Sequence, residues 1–125
     1  MNEKYRKVGI TVIVLVVIIA LLYIIGFRPL FIVSESMEPN IKKNSIVIVY
    51  KESISDIGKN DIICFTDGNG YIVHRVVSKK NNIINTKGDN NRRIDKYDVT
   101  PDMIVGKVVF RINFIASIID FIAYQ

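Results

Sequence analysis

The sequence predicts a small, mainly β domain, an antiparallel sheet folded in a barrel-like way, behind one N-terminal transmembrane helix. Three observations predict it. The first is an uncharged apolar run, Val8–Phe27. The second is a series of short β-branched runs after residue 28, each bounded by turn residues. The third is the absence of a helical period between those runs, which favours antiparallel pairing over βαβ units.

The apolar run reads VGITVIVLVVIIALLYIIGF. As a helix it spans roughly 30 Å, the thickness of a bilayer's hydrocarbon core. In lipid the backbone must satisfy its own hydrogen bonds, so a lone segment there is helical despite its Val and Ile content. The run is longer than the apolar part of a cleaved secretory signal, and no small-x-small site follows at Ile24-Ile25-Gly26-Phe27. It is expected to be an uncleaved signal-anchor ended by Arg28-Pro29. Lys4, Arg6 and Lys7 precede it, so residues 1–7 are expected in the cytoplasm and residues 28–125 on the extracytoplasmic face.

The exported part contains five expected strands: 45–51, 61–66, 71–78, 82–86 and 103–110. Asp67-Gly68-Asn69-Gly70 is a hairpin signal between two of them, and Lys79–Asn81 is the next expected turn. Residues 28–110 form the expected β domain. Residues 111–125, RINFIASIIDFIAYQ, are too short to span but carry a helix-like apolar face, so they are expected to lie against the membrane.

Composition excludes several function classes. The formal charge of +5 suggests nucleic acid at first sight. Beyond residue 27, however, fourteen basic and eleven acidic residues are interspersed, which describes a solvated surface near lipid rather than a nucleic-acid stripe. One cysteine, Cys64, allows no internal disulfide, and one cysteine with one histidine makes no ordinary zinc site. No glycine-rich phosphate loop occurs.

Three groups of residues can carry chemistry. Ser34-Glu35-Ser36-Met37-Glu38-Pro39 lies just past the membrane helix; a serine there could be a nucleophile, with its own N–H and a neighbouring hydroxyl cradling an oxyanion. Alone, such a stretch is also an ordinary polar loop. His74, the only histidine, shares a strand face with Ile72 and Val76, where burial favours the neutral imidazole a general base needs. A core histidine would look the same. Thr86-Lys87-Gly88-Asp89-Asn90-Asn91, with Asp95 shortly after it, supplies two carboxylates, either of which could orient the imidazole. Gly, Asp and Asn are equally common in surface turns.

With these motifs in this order, the chain resembles the type I signal peptidases. Within them it is similar to the serine–histidine subfamily typical of the endoplasmic reticulum, archaea and sporulating Gram-positive bacteria. The resemblance runs from about residue 5 to residue 110. It implies Ser36 as nucleophile, Ser34 as an oxyanion-hole hydroxyl beside the Ser36 amide, and His74 as the base that replaces lysine in the commoner bacterial subfamily. It implies Asp95 as the aspartate of the triad and Asp89 as a second important acid. It also implies a β-rich fold, cleavage of preprotein signal peptides after a small-x-small motif, and no metal or cofactor. The implied partners are the signal peptides, the bilayer and an accessory membrane subunit or secretion machinery. Glu35 departs from the pattern, which has glycine between the serines; a positive φ there would make glutamate costly. The alternatives are a serine–lysine dyad using Lys79, Lys80 or Lys87, a self-cleaving repressor-like protease, and an inactive anchored β module that binds export partners. No lysine occupies the in-strand position of His74, and the repressor-like class lacks a membrane anchor.

Overall fold

The computed structural model describes all 125 residues. Helix α1, Glu3–Ile25, is followed by strands β1 (Phe27–Phe31), β2 (Ile46–Tyr50), β3 (Ile62–Thr66), β4 (Tyr71–Lys80), β5 (Ile83–Lys87) and β6 (Ile104–Ile112). Helix α2, Phe114–Ala123, ends the chain's regular structure.

No residue of α1 is buried by the rest of the protein. Its outward Val, Ile and Leu side chains leave a helix long and apolar enough to cross a membrane. The Asn2 side chain accepts from the Lys4 N–H at 2.9 Å and caps the N-terminus. Gly26 closes the other end with φ 126°, a conformation that favours glycine. The Arg28 guanidinium lies 3.4 Å from the centre of the Tyr23 ring and donates to the carbonyls of Tyr23 and Phe27. A cation thereby lies at the C-terminal, negative end of the helix dipole.

The helix therefore stops before the expected Arg28-Pro29 signal, and those two residues belong to a strand that the sequence does not announce. Proline is tolerated there because β1 is an edge strand, paired only with β2. The expected strands are otherwise present with ends moved by one or two residues. β4 runs through Lys79 and Lys80, so the turn falls at Asn81-Asn82, with Asn81 at φ 57°.

The strand order is β1-β2-β6-β3-β4-β5, antiparallel throughout. Register shifts at Ile48/Val49, Cys64/Phe65 and Val76/Ser78 interrupt the ladders, as bulges that bend strands do, and β1 and β5 are the two unjoined edges of the sheet. β3 is buried on both faces. Cys64 joins one apolar cluster with Met37, Ile41, Val47, Val49 and Val73. Ile63 and Phe65 join the other with Ile57, Val76, Ile84 and Val99. Phe65, fully buried, meets the rings of His74 and Tyr97 edge-on at 6.5 and 6.0 Å. Truncating such a side chain costs about 3–5 kcal/mol, so the core that stabilises the sheet also backs the histidine.

The pairing of β2 with β6 is especially close at Gly106. A Cβ on Gly106 would lie 2.8 Å from the Tyr50 carbonyl carbon and 2.9 Å from Val49 Cγ1. Gly106→Ala is therefore expected to destabilise the domain by about 1–3 kcal/mol through overpacking. Thermal unfolding in detergent measures it; an unchanged melting temperature contradicts the close packing described.

Candidate active site

Ser36 begins a turn that leaves β1, and the residues after it anchor it to the core. Met37 and Ile41 are buried in the first cluster, and the Ile41 N–H donates to the Met37 carbonyl at 3.0 Å. These anchors leave Ser36 half-exposed, while Ser34 and Glu35 face solvent. Glu35 does not take a positive φ, so its departure from glycine carries no backbone strain.

The turn after β5 clamps the serine from the other side. The Asn90 N–H donates to the Ser36 carbonyl at 2.8 Å, and Asn90 Nδ2 donates to the Glu35 carbonyl at 3.1 Å. Gly88 is required by contact: a Cβ there would sit 2.6 Å from the Ser36 carbonyl oxygen.

His74 projects from the middle of β4 and is 8 % exposed. Its Nε2 lies 3.2 Å from Ser36 Oγ and its Nδ1 lies 2.6 Å from Asp95 Oδ2. A carboxylate can only accept, so Nδ1 carries the proton and Nε2 offers a lone pair to the serine hydroxyl. Ser34 Oγ is 3.0 Å from Ser36 Oγ. A row of this kind can draw the hydroxyl proton onto the imidazole and stabilise the charge that results.

The two carboxylates separate clearly. Asp95 touches the imidazole. Asp89 does not; it accepts from Arg75 Nε and Nη2, both at 2.8 Å, and from Asn40 Nδ2 at 2.7 Å. Arg75 also donates to the Asn60 carbonyl at 2.8 Å. Asp89 thus ties the residue next to His74 to the loop beyond Ser36. The Arg75 guanidinium, helped by Asn40, holds the Asp89 carboxyl below the usual carboxylate range against an opposing effect of burial.

Three contributors are not evident from the sequence alone. Thr86 donates from its hydroxyl to Asp95 Oδ2 at 2.6 Å. Arg75 and Asn40 hold Asp89. Thr86 and Arg75 lie inside the motifs quoted for the family resemblance, where only their strand position is visible. Cys64 takes no part, because burial pushes its thiol up to about 12.

Ser36 and His74 open into a mainly apolar cleft of about 420 Å³, whose walls include Ile32, Val33, Tyr71, Val73 and Tyr97. Burial, and then the nearby Asp95 and Asp67 carboxylates, raise the Tyr97 hydroxyl above the ordinary tyrosine value.

Residues 5–104 match the family model described as signal peptidase, peptidase S26. The chain belongs to this family. It is a type I signal peptidase, a serine hydrolase that acts on the signal peptides of preproteins. No curated protein matches the chain. The apolar α1 fits a membrane-anchored signal peptidase.

The Asp89–Arg75 pair has a testable pH signature. The folded carboxyl lies below its ordinary value, so the pair's contribution is complete above the unfolded carboxylate's range. It is lost as pH falls through the lower, folded value. Asp89→Asn is expected to cost about 1–2 kcal/mol at neutral pH and progressively less in acid. Melting temperatures of both proteins across the acid range test this. A gap that is constant with pH contradicts it.

Proposed function

We propose that this signal peptidase cleaves through an acyl-enzyme on Ser36, with His74 as general base. The observation that carries the reading is the hydrogen-bonded row Ser36–His74–Asp95. The imidazole takes the hydroxyl proton as Ser36 attacks the scissile carbonyl, and Asp95 holds the ring and balances its charge. The developing oxyanion is met by the Ser36 N–H and the Ser34 hydroxyl, which lies within hydrogen-bond reach of Ser36 Oγ. His74 then gives its proton to the leaving amine. Water, activated by the same imidazole, releases the acyl group.

His74 in the base position supports the serine–histidine subfamily over a lysine dyad. Lys79 donates to the carbonyls of Ile54 and Ile57, and Lys87 to that of Gly88, so neither is aimed at the serine. Asp89 acts from a distance, as the tie between Arg75 and the serine loop.

The substrate lies extended in the apolar cleft, with small side chains at the first and third positions before the scissile bond. Its apolar stretch remains in the bilayer beside α1. Tethering enzyme and substrate to one membrane raises their effective concentration. The three basic residues before the apolar run support an N-terminus in the cytoplasm and a catalytic domain on the extracytoplasmic face. α2 turns Phe114, Ile118 and Phe121 outward, opposite buried Ala116, and this apolar face suits an interfacial position. An accessory membrane subunit or the secretion machinery completes the setting in which it works. The chemistry draws on side chains, one backbone N–H and water, and needs no cofactor.

The test is cleavage of an Ala-x-Ala signal-peptide reporter by membranes carrying equal amounts of each variant. Ser36→Ala and His74→Ala are each expected to lower the rate by about 10⁶-fold, leaving only a small residual rate over water. Undiminished cleavage by either variant contradicts the reading.

A further inference from the structure

Thr86 is the one buried hydroxyl that reaches the Ser36–His74–Asp95 row without being part of it. It lies on β5, directly opposite Val76 of β4, and is fully buried. Its side chain shares a strand face with Ile84, a member of the second apolar cluster. An apolar residue would fill such a position without leaving a polar group to satisfy. The hydroxyl instead donates to Asp95 Oδ2 at 2.6 Å, the same oxygen that accepts from His74 Nδ1 at 2.6 Å.

The hydroxyl is not needed to attach Asp95 to the sheet. The backbone already does so, because the Asp95 N–H donates to the Thr86 carbonyl at 2.8 Å. A backbone bond fixes where the Asp95 Cα sits but leaves its carboxylate free to rotate about two side-chain torsions. The second donor acts on that freedom. With one short bond from each side, Oδ2 has a single position that serves both. The imidazole plane, and with it the direction of Nε2 towards Ser36, is set by that position.

Resting on the reading of Ser36, His74 and Asp95 as the catalytic row, we propose that Thr86 is a positioning residue for the reaction. Its hydroxyl locks the Asp95 carboxylate so that His74 presents Nε2 to Ser36. Thr86 touches neither substrate nor the reacting atoms and acts through Asp95 alone. Preorganised geometry of this sort contributes to kcat rather than to substrate affinity.

Thr86→Val keeps the shape and removes the donor; Thr86→Ser keeps the donor and removes a methyl group. The full-length protein in detergent micelles is assayed on the Ala-x-Ala reporter, beside Ser36→Ala. Thr86→Val is expected to lower kcat by about 10-fold or more with KM unchanged, and Thr86→Ser to restore most of it. A second readout is independent of turnover. The chain has one histidine, so the Nδ1–H proton resonance needs no assignment among rivals. That resonance is expected far downfield in wild type and Thr86→Ser, and shifted or lost in Thr86→Val. If Thr86→Val fails to give the wild-type circular dichroism spectrum, Thr86→Ala, which has no donor, replaces it with the same expectation, read against Thr86→Ser, which lacks the same methyl group.

Wild-type kcat and resonance in Thr86→Val overturn the proposal, as does equal impairment in the valine and serine variants, which marks a packing role. If Ser36→Ala still cleaves the reporter, the catalytic reading itself fails. Loss of cleavage in Ser36→Ala with full activity in Thr86→Val removes only the role of Thr86.

Discussion

The bond between His74 Nδ1 and Asp95 Oδ2, 2.6 Å long and nearly out of solvent, is the constraint on which the remaining geometry depends. A buried imidazole can meet a buried carboxylate only if both are delivered to one place by rigid elements. β4 delivers the histidine, with Phe65 of β3 behind it. β5 delivers the aspartate, through a backbone bond and a side-chain bond at Thr86. The partnership of β4 and β5 at the end of the sheet is therefore what brings two residues 21 positions apart into contact.

The serine is added to this pair by a different device. It sits on irregular chain rather than on a strand, and its position is set from two sides. Met37 and Ile41 pin it from the apolar core, and the turn 88–91 grips the Glu35 and Ser36 carbonyls. The Asp89–Arg75–Asn40 cluster closes the loop by joining β4 to the segment after Ser36. Small domains have little core to spare, and here charge-assisted hydrogen bonds between loops supply rigidity that packing alone does not.

Much of this is legible in the sequence, and the reasons are physical. A run of twenty uncharged residues permits few structures, and Ser45–Lys51 or Tyr71–Ser78 are β-branched stretches bounded by turn formers. The order serine, histidine, aspartate is visible through its motifs. β1 is not visible, because Arg28-Pro29 reads as a helix stop, and nothing local says that proline would sit on an edge strand with no bond to donate. The separation of Asp89 from Asp95 is assigned by the family resemblance, but the residues read alone hide it. They follow the end of β5 by two and eight residues, and only the path of the chain there decides which carboxylate faces His74 and which faces Arg75. Thr86 looks like any strand residue because its importance lies in a partner nine positions away. Glu35 raises a question that depends on one dihedral angle, and that angle is not positive.

The central claim is that Ser36, activated by His74, is the group that becomes acylated. Covalent labelling tests it most directly: incubation of the detergent-solubilised protein with a serine-directed electrophile that mimics a signal-peptide acyl group, and then peptide mass spectrometry. One adduct is expected, on Ser36, absent in His74→Ala and retained in Ser34→Ala. An adduct on another residue, or labelling of Ser36 at full rate without His74, would contradict the claim.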